Sequence, residues 1–305
     1  MLIVNPHATT TAGHIPELVT RSLTGLVDLD VQPTKRRGHA RELAAEADTD
    51  LVLVLGGDGV VNETINGLMT RPSGGSGAAP PLVGVIPGGG GNVFARALGM
   101  PVGTVAAIAR IRDVIAAGRY RTIGLGLAAD RYFTFSADLG LDAEVMHEMD
   151  ELRGAGRRQS TPLYLRTIAR QLYRGTDRRV PALTAERDGE PSASGLFMTI
   201  VTNRSPWTYL GGRALLPVPN PDFNSGLDLL ALRQLGLGTI FGLVAQMLWV
   251  RSRPPRGRHL LSAPGLESLT IRSARPIAFQ VDGEYLGETE AVEFRFVPHA
   301  IRVVA

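Results

Sequence analysis

Apolar positions follow two regimes along the 305-residue chain. Over residues 1–120, short aliphatic runs alternate with stretches of helical spacing. Leu2, Ile3 and Val4 read as a first strand. Residues 15–26 space apolar side chains three and four apart and predict a helix; 29–32 predict a second strand, and 39–46 open a second helix. Residues 51–55 are an uninterrupted aliphatic run, the kind a parallel sheet buries on both faces. Glycines and Asp58 end it, and 60–69 return to helical spacing. The order then recurs, with 82–86 as strand, 87–91 as loop and 92–98 as helix. Two successive strand, glycine-loop and helix units predict right-handed crossovers in a doubly wound parallel sheet. The Gly-, Ser- and Pro-rich stretch 71–81 reads as a surface connection between them.

From about residue 121 the pattern shortens into strand-like pieces at 122–127, 132–135, 180–186, 196–202, 227–232, 268–272, 277–281, 292–297 and 301–304. Short strands at turn-bounded spacing predict an antiparallel β-sandwich. Helical insertions at about 143–173 and 237–249 interrupt it. The fold class expected is therefore α/β plus β-sandwich. Residues 1–120 form one domain, with the tail 298–305 returning to it, and 121–297 form the other.

Composition narrows the function classes. An apolar fraction of 44% and a charged fraction of 20% are those of an ordinary folded protein. Zero cysteines exclude disulfides, thiolate metal sites and cysteine nucleophiles. Net charge is only +3, and Lys35 is the single lysine among the basic residues. No leader-like segment opens the chain, so secretion is not expected. The longest apolar run, 235–250, is broken by three glycines and Gln246 and falls short of the roughly 20 residues a spanning helix needs. A cytoplasmic protein, or one peripheral on the inner face of the membrane, is expected. The sequon Asn62-Glu63-Thr64 reads as a coincidence in a chain without an export signal. His7, His14, His39, His147, His259 and His299 lack metal-ligand spacing. No compact basic motif with stacking aromatics is present, so nucleic acid is not an expected partner.

Two glycine clusters carry the chemistry. A cluster between a buried strand and a helix lets backbone amides and the positive helix end approach an anion, and phosphate is the natural ligand. Gly56–Gly59 and Gly88–Gly91 follow adjacent strands, where ligands of open parallel sheets bind. A tight turn is the plain alternative for either one alone. The pattern G-x-x-x-x-G-K-[ST] is absent, which excludes that phosphate loop. Gly124-Leu125-Gly126-Leu127-Ala128-Ala129 fits a dinucleotide string but is itself strand-like, and no helix clearly follows.

The run Gly56-Gly57-Asp58-Gly59-Val60-Val61-Asn62-Glu63 resembles the GGDGTxNE signature of the diacylglycerol, sphingosine and ceramide kinases, a family more distantly related to NAD kinase. Pro87-Gly88-Gly89-Gly90-Gly91-Asn92 resembles their second loop. Asn5-Pro6, Thr34 with Gly38-His39-Ala40, Gly140-Leu141-Asp142-Ala143, Gly211-Gly212 and Asp282-Gly283-Glu284 follow in the family's order, so the likeness spans essentially the whole chain.

The resemblance implies an ATP- and Mg2+-dependent lipid kinase with its active site in a cleft between the domains, and diacylglycerol as the leading acceptor. It implies that Asn5, Thr34, Gly57, Asp58, Gly59, Asn62, Glu63, Gly89, Gly90 and Asn92 line the nucleotide. Catalytic carboxylates are Glu284, Asp282 and Asp58, with the proton acceptor on Glu284 or Asp282. For Asp282-Gly283 a hairpin turn is the plain alternative, and both readings can hold. Asp142 is placed at the acceptor's polar head, and an ordinary loop carboxylate is its alternative. A metal site is placed at Asp222, Ser225 and Leu227.

Four departures surround the phosphates and metal. Val60 and Gly90 stand where the family has threonine, Val93 where the second loop has aspartate, and Ser225 where a bacterial magnesium ligand is aspartate. They keep open a member that binds without transferring, while the shared GGDG loop keeps open a soluble-substrate kinase of the NAD-kinase type. Trp249 with Arg251, Arg253, Arg256 and Arg258 after the 235–250 run suggests peripheral contact with a membrane, against a core-packing helix as the alternative. Arg153, Arg157, Arg158, Arg166, Arg170 and Arg174, interleaved with Leu163, Tyr164, Leu165, Ile168, Leu172 and Tyr173, form a second such stretch. ATP, a lipid and a homodimer partner complete the expected partners.

Overall fold

The computed structural model describes residues 1–8, 14–70, 81–154, 161–177, 179–203, 205–219, 222–249 and 253–305. Residues 71–80 of the expected surface connection, and Arg157, Arg158 and Arg251, lie outside the described residues, as do the side chains of Arg153, Leu165 and Arg174. The chain divides into two units, Met1–Ile123 with His299–Ala305, and Gly124–Pro298.

The first unit runs β1 (Leu2–Val4), α1 (Ile15–Leu23), β2 (Val31–Pro33), α2 (His39–Ala45), β3 (Leu51–Gly56), α3 (Asp58–Met69), β4 (Leu82–Pro87), α4 (Val93–Ala97) and α5 (Thr104–Ala116). Its strands are parallel in the order β4-β3-β1-β2. Val303 and Val304 extend the sheet beyond β4, opposite Val83 and Gly84. All of β3 is buried, as its aliphatic run requires. The second strand is Val31–Pro33, later than 29–32, although the Asp30 carbonyl before it already accepts from Leu2 N at 2.7 Å. Pro33, which has no donor, is tolerated there because β2 is an edge strand. Gly67 lets α3 lie against α2, since a Cβ at that position would sit 2.2 Å from the Arg41 carbonyl oxygen. Helix α5 buries Ala107, Ile108, Ile111 and Val114, a spacing that its alanines conceal in the sequence.

The register brings the strand ends together. Val4 lies opposite both Pro33 and Leu55, and Gly56 opposite Pro87. Asn5, Thr34 and both glycine loops therefore leave the sheet along its carboxyl edge, where parallel sheets bind ligands.

β5 (Arg121–Ala128) leads into the second unit, followed by β6 (Arg131–Phe133), β7 (Ser136–Gly140), α6 (Leu141–Gly154) and α7 (Thr161–Arg170), which ends in a π-turn at Gln171–Gly175. Then come β8 (Leu183–Arg187), β9 (Glu190–Leu196), β10 (Met198–Thr202), β11 (Thr208–Leu210), β12 (Arg213–Leu215), β13 (Leu227–Leu232), α8 (Leu237–Trp249), β14 (Leu260–Leu266), β15 (Ser268–Val281) and β16 (Glu284–Val304). The antiparallel order is β14-β13-β10-β7-β15-β16, with β8 and β9 added beside the first half of β15.

Side chains alternate across this sheet. Val201, Leu227, Leu229, Ala137, Leu139 and Phe279 face a core shared with β8, β9, Phe133 and Phe294. Met198, Ile200, Leu230 and Leu232 face the other way, onto α6 and α8. The helices expected as insertions are thus the cover of one sheet face. β7, β10 and β13 are buried at every position, so each needs a layer on both sides.

Candidate active-site residues

In the first unit the two glycine loops touch. Gly88 N donates to the Gly56 carbonyl at 2.8 Å, and a Cβ on Gly89 would lie 2.7 Å from Gly57 Cα. Loop contact therefore demands glycine at 89 and leaves little room at 57, where a Cβ would lie 3.3 Å from Gly89 Cα. Gly59 and Gly90 are different: they are exposed, and an added Cβ at either would meet nothing within 4 Å. Neither adopts the left-handed backbone that favours glycine. Nothing within the chain requires glycine there, and the open space suits a ligand approaching the backbone.

Asp58 and Asn92 hold the loops in place. The Asp58 carboxylate accepts from Val93 N at 3.0 Å and Phe94 N at 3.1 Å, capping α4 from the neighbouring loop. Asn92, at φ 49°, accepts from Gly89 N at 2.9 Å and donates to Gly89 O at 2.6 Å. The start of α4 is thereby occupied by Asp58, whereas α3 follows Gly57 with no side-chain cap. An uncapped helix start between two open glycine positions is the anion-binding geometry of this unit.

The remaining residues of this set divide by depth. Asn5 and Thr34 are half-buried at the strand ends; Asn5 Oδ1 accepts from His7 N at 3.0 Å, and Thr34 N donates to Val4 O at 2.8 Å. Asn62 is buried within α3 and accepts from Asn66 Nδ2 at 3.1 Å. Glu63 accepts from Gly38 N at 2.8 Å, tying α3 to the left-handed Gly38 before α2. Val60 and Val93, two of the departures, are buried packing residues.

In the second unit Asp282 (φ 48°) and Gly283 (φ 78°) are both left-handed, and Val281 pairs with Glu284. That is a two-residue hairpin of the primed type. The Asp282 carboxylate accepts from Thr134 N and Oγ1, both at 2.8 Å, from Phe135 N at 3.0 Å and from Ser136 N at 3.1 Å. Glu284 is instead ion-paired to Arg131, with side chains 16% and 22% exposed respectively.

Behind this hairpin lies a network the sequence did not reveal. Gly283 N donates to Gln280 Oε1 at 2.7 Å, and Gln280 Nε2 donates to Asp138 Oδ2 and, at 3.2 Å, to Asp142 Oδ2. Trp207 Nε1 donates to Asp138 at 3.0 Å, and Tyr164 OH donates to Asp142 at 2.9 Å. Asp138 Oδ1 has no hydrogen-bond partner. Burial, reinforced by the Asp142 charge, pushes Asp138 well above the usual carboxylate range. Asp142 is also raised, chiefly by burial. Two desolvated carboxyls this close favour holding a proton between them. Asp142, 6% exposed, belongs to this network. A polar residue inside a buried strand run, as in Ala137-Asp138-Leu139 and Phe279-Gln280-Val281, is the sequence signal that would have found the network.

The proposed metal positions offer a weak donor set. Exposed Asp222 accepts from Ser225 Oγ and, at 3.1 Å, from Asn224 N, while Leu227 sits in β13 opposite Leu266. The nearby Asp228 is buried and accepts from Gly265 N at 3.0 Å. Among the described residues no group of three His, Cys, Asp or Glu is placed to hold a metal. Asp222, Ser225 and the Leu227 carbonyl would supply one carboxylate and two neutral oxygens, a sparse set beside the roughly six or more that a calcium-type site takes.

Comparison with known proteins bears first on the amino-terminal residues. Residues 1–127 match the diacylglycerol kinase catalytic domain. Over these residues the chain is similar to that domain. The family resemblance read from the motifs is borne out, and the chain is similar well beyond the domain's limits. It is 28% identical over 261 residues to the diacylglycerol kinase of Bacillus subtilis (strain 168), covering 82% of this chain and 76% of that one. The crystal structure of a diacylglycerol kinase from Bacillus anthracis str. Sterne superposes with a TM-score of 0.67 at 19% identity, covering 99% of this chain and 95% of that one. An NAD kinase from Archaeoglobus fulgidus in complex with ATP shares the fold at a TM-score of 0.52 and 12% identity, over 100% and 92% of the two chains. These two likenesses establish the fold: a parallel α/β unit followed by an antiparallel, strand-rich one. No helix of the described residues is long and apolar enough to cross a membrane.

Proposed function

We propose that the chain is an ATP-dependent lipid kinase that transfers the γ-phosphoryl group of ATP to a lipid hydroxyl, with diacylglycerol as acceptor. The observation that carries this reading is the uncapped start of α3, set between Gly59 and Gly90, where the backbone is open. Amides and helix dipole there cradle the phosphates, and Asp58 with Asn92 fixes the loop shape. Mg2+ bound with the nucleotide would neutralise charge on the phosphates.

Transfer forms a bond between the acceptor oxygen and γ-phosphorus as the bond to the β–γ bridging oxygen breaks, releasing ADP. The hydroxyl proton goes to Glu284, which Arg131 holds in position. Asp282, whose carboxylate already accepts four hydrogen bonds, shapes the hairpin that presents Glu284. Asp142 and Gln280 support that hairpin from behind. The burial of Val60 and Val93 supports activity over a binding-only role, because valine at those positions removes no group from the open face of the loops.

The test is direct. Purified protein is incubated with labelled ATP, Mg2+ and, in separate reactions, diacylglycerol, sphingosine or NAD. Label in phosphatidic acid is expected. Label with NAD alone would overturn the lipid reading, and tight ATP binding without turnover on any acceptor would establish a binding protein.

A further inference from the structure

Helix α8 has two apolar faces, and the protein covers only one. Leu243, Met247 and Leu248 are buried against the sheet. On another side Leu237, Phe241, Ala245 and Trp249 recur every four residues, a spacing that stacks side chains along one side of a helix. Leu237 is 40% exposed, Phe241 68% and Trp249 67%. Beside α8 packs β12, from the hairpin whose tip carries exposed Leu210 and Arg213.

Charge is segregated in the same place. The chain as a whole is nearly balanced, with 32 basic and 29 acidic residues. Residues 229–266 nevertheless contain no Asp or Glu, and neither do 203–221. Exposed Arg253, Arg256 and Arg258 follow the helix. A flat row of exposed aromatic and aliphatic side chains, flanked by arginines without acidic counterparts, complements an apolar layer beneath a layer of negative charge. A second copy on this face would leave the arginines without a negative partner, since residues 229–266 supply no Asp or Glu.

We propose that α8 seats on an anionic lipid bilayer, with Leu237, Phe241 and Trp249 entering the interface and Arg213, Arg253, Arg256 and Arg258 meeting lipid phosphates. At 13 residues the helix lies along the surface. The inference is independent of the kinase reading, because binding to vesicles is measured without nucleotide or acceptor.

The full chain is sedimented with vesicles of phosphatidylcholine alone and of phosphatidylcholine with phosphatidylglycerol. Association with the anionic vesicles, weakened by salt, is expected. Phe241→Ser with Trp249→Ser should lower partitioning by about tenfold or more, and Arg256→Glu with Arg258→Glu should remove the preference for anionic lipid. Thermal melting of each variant establishes that it is folded, and circular dichroism checks that α8 persists. Folded variants that sediment as the parent does, or equal binding to both vesicle types, would overturn the proposal. So would a dimer in vesicle-free solution that Phe241→Ser dissociates, since the face would then belong to a second copy.

Discussion

The glycine loops of the first unit and the carboxylate network of the second treat polar groups in opposite ways. Around α3 the backbone is left open: a Cβ added at Gly59 or Gly90 would meet nothing within 4 Å, and the residue before the helix, Gly57, supplies no side-chain cap. Around Asp282 almost every polar atom is engaged, and Asp138 with Asp142 is closed off from water. An open start can receive a ligand's charge. A closed network cannot, but it fixes the position of whatever projects from it, here Glu284. The difference teaches that an acidic residue within a family motif is not for that reason an acid or base in the reaction.

Four substitutions probe that contrast. Glu284→Gln, which preserves shape next to Arg131, should lower kcat by about 10²- to 10⁴-fold with unchanged melting; retention of near-normal turnover would remove Glu284 as proton acceptor. Within the loops, Gly89→Ala forces a Cβ to within 2.7 Å of Gly57 Cα and should destabilise by about 3 kcal/mol, while Gly90→Ala stays within about 0.5 kcal/mol. Urea unfolding of the pair measures this, and equal effects would erase the distinction between packed and open glycines. Asp282→Asn replaces an acceptor with a donor facing amides and should lose about 2 kcal/mol, again by urea unfolding, before any effect on chemistry is read.

The smallest effect concerns pH. Asp138 and Asp142 are raised, so the folded state binds more protons than the unfolded one. Their contribution is greatest below the ordinary carboxylate value near 4 and is lost as pH rises through the folded values. Asp138→Asn removes one of these groups. Its melting temperature should fall less steeply than the parent's as pH rises above the ordinary carboxylate range. Parallel profiles would mean that Asp138 is ionised in the folded protein.

Legibility in the sequence followed chemistry that is local. The 51–55 run announced β3 because burial on both faces needs no partner pattern, and Asp282-Gly283 announced a hairpin because few residues tolerate two left-handed positions. Helix α5 escaped notice because alanines lie among its buried and its exposed positions alike and blur the spacing of Ile108, Ile111 and Val114. The covering role of α6 and α8 escaped too, since only the sheet shows which of its faces lacks a layer. Asp58, Asn62 and Glu63 stood out as motif residues, yet their hydrogen bonds to α4, Asn66 and Gly38 join segments that only the fold brings together. Asp138 and Gln280 are 142 positions apart, beyond any spacing rule.

β16 leaves the hairpin at Glu284 and ends at Val304, and its last residues complete the sheet of the first unit. On a ribosome this reverses the usual order in which an amino-terminal domain finishes first. The edge of β4 beside Val83 and Gly84 waits without its neighbour until the whole second unit has been made, and a chain stopped before residue 299 would leave an apolar strand edge open to pairing with other chains. The sheet of the first unit is thus completed only after the whole second unit has been synthesised.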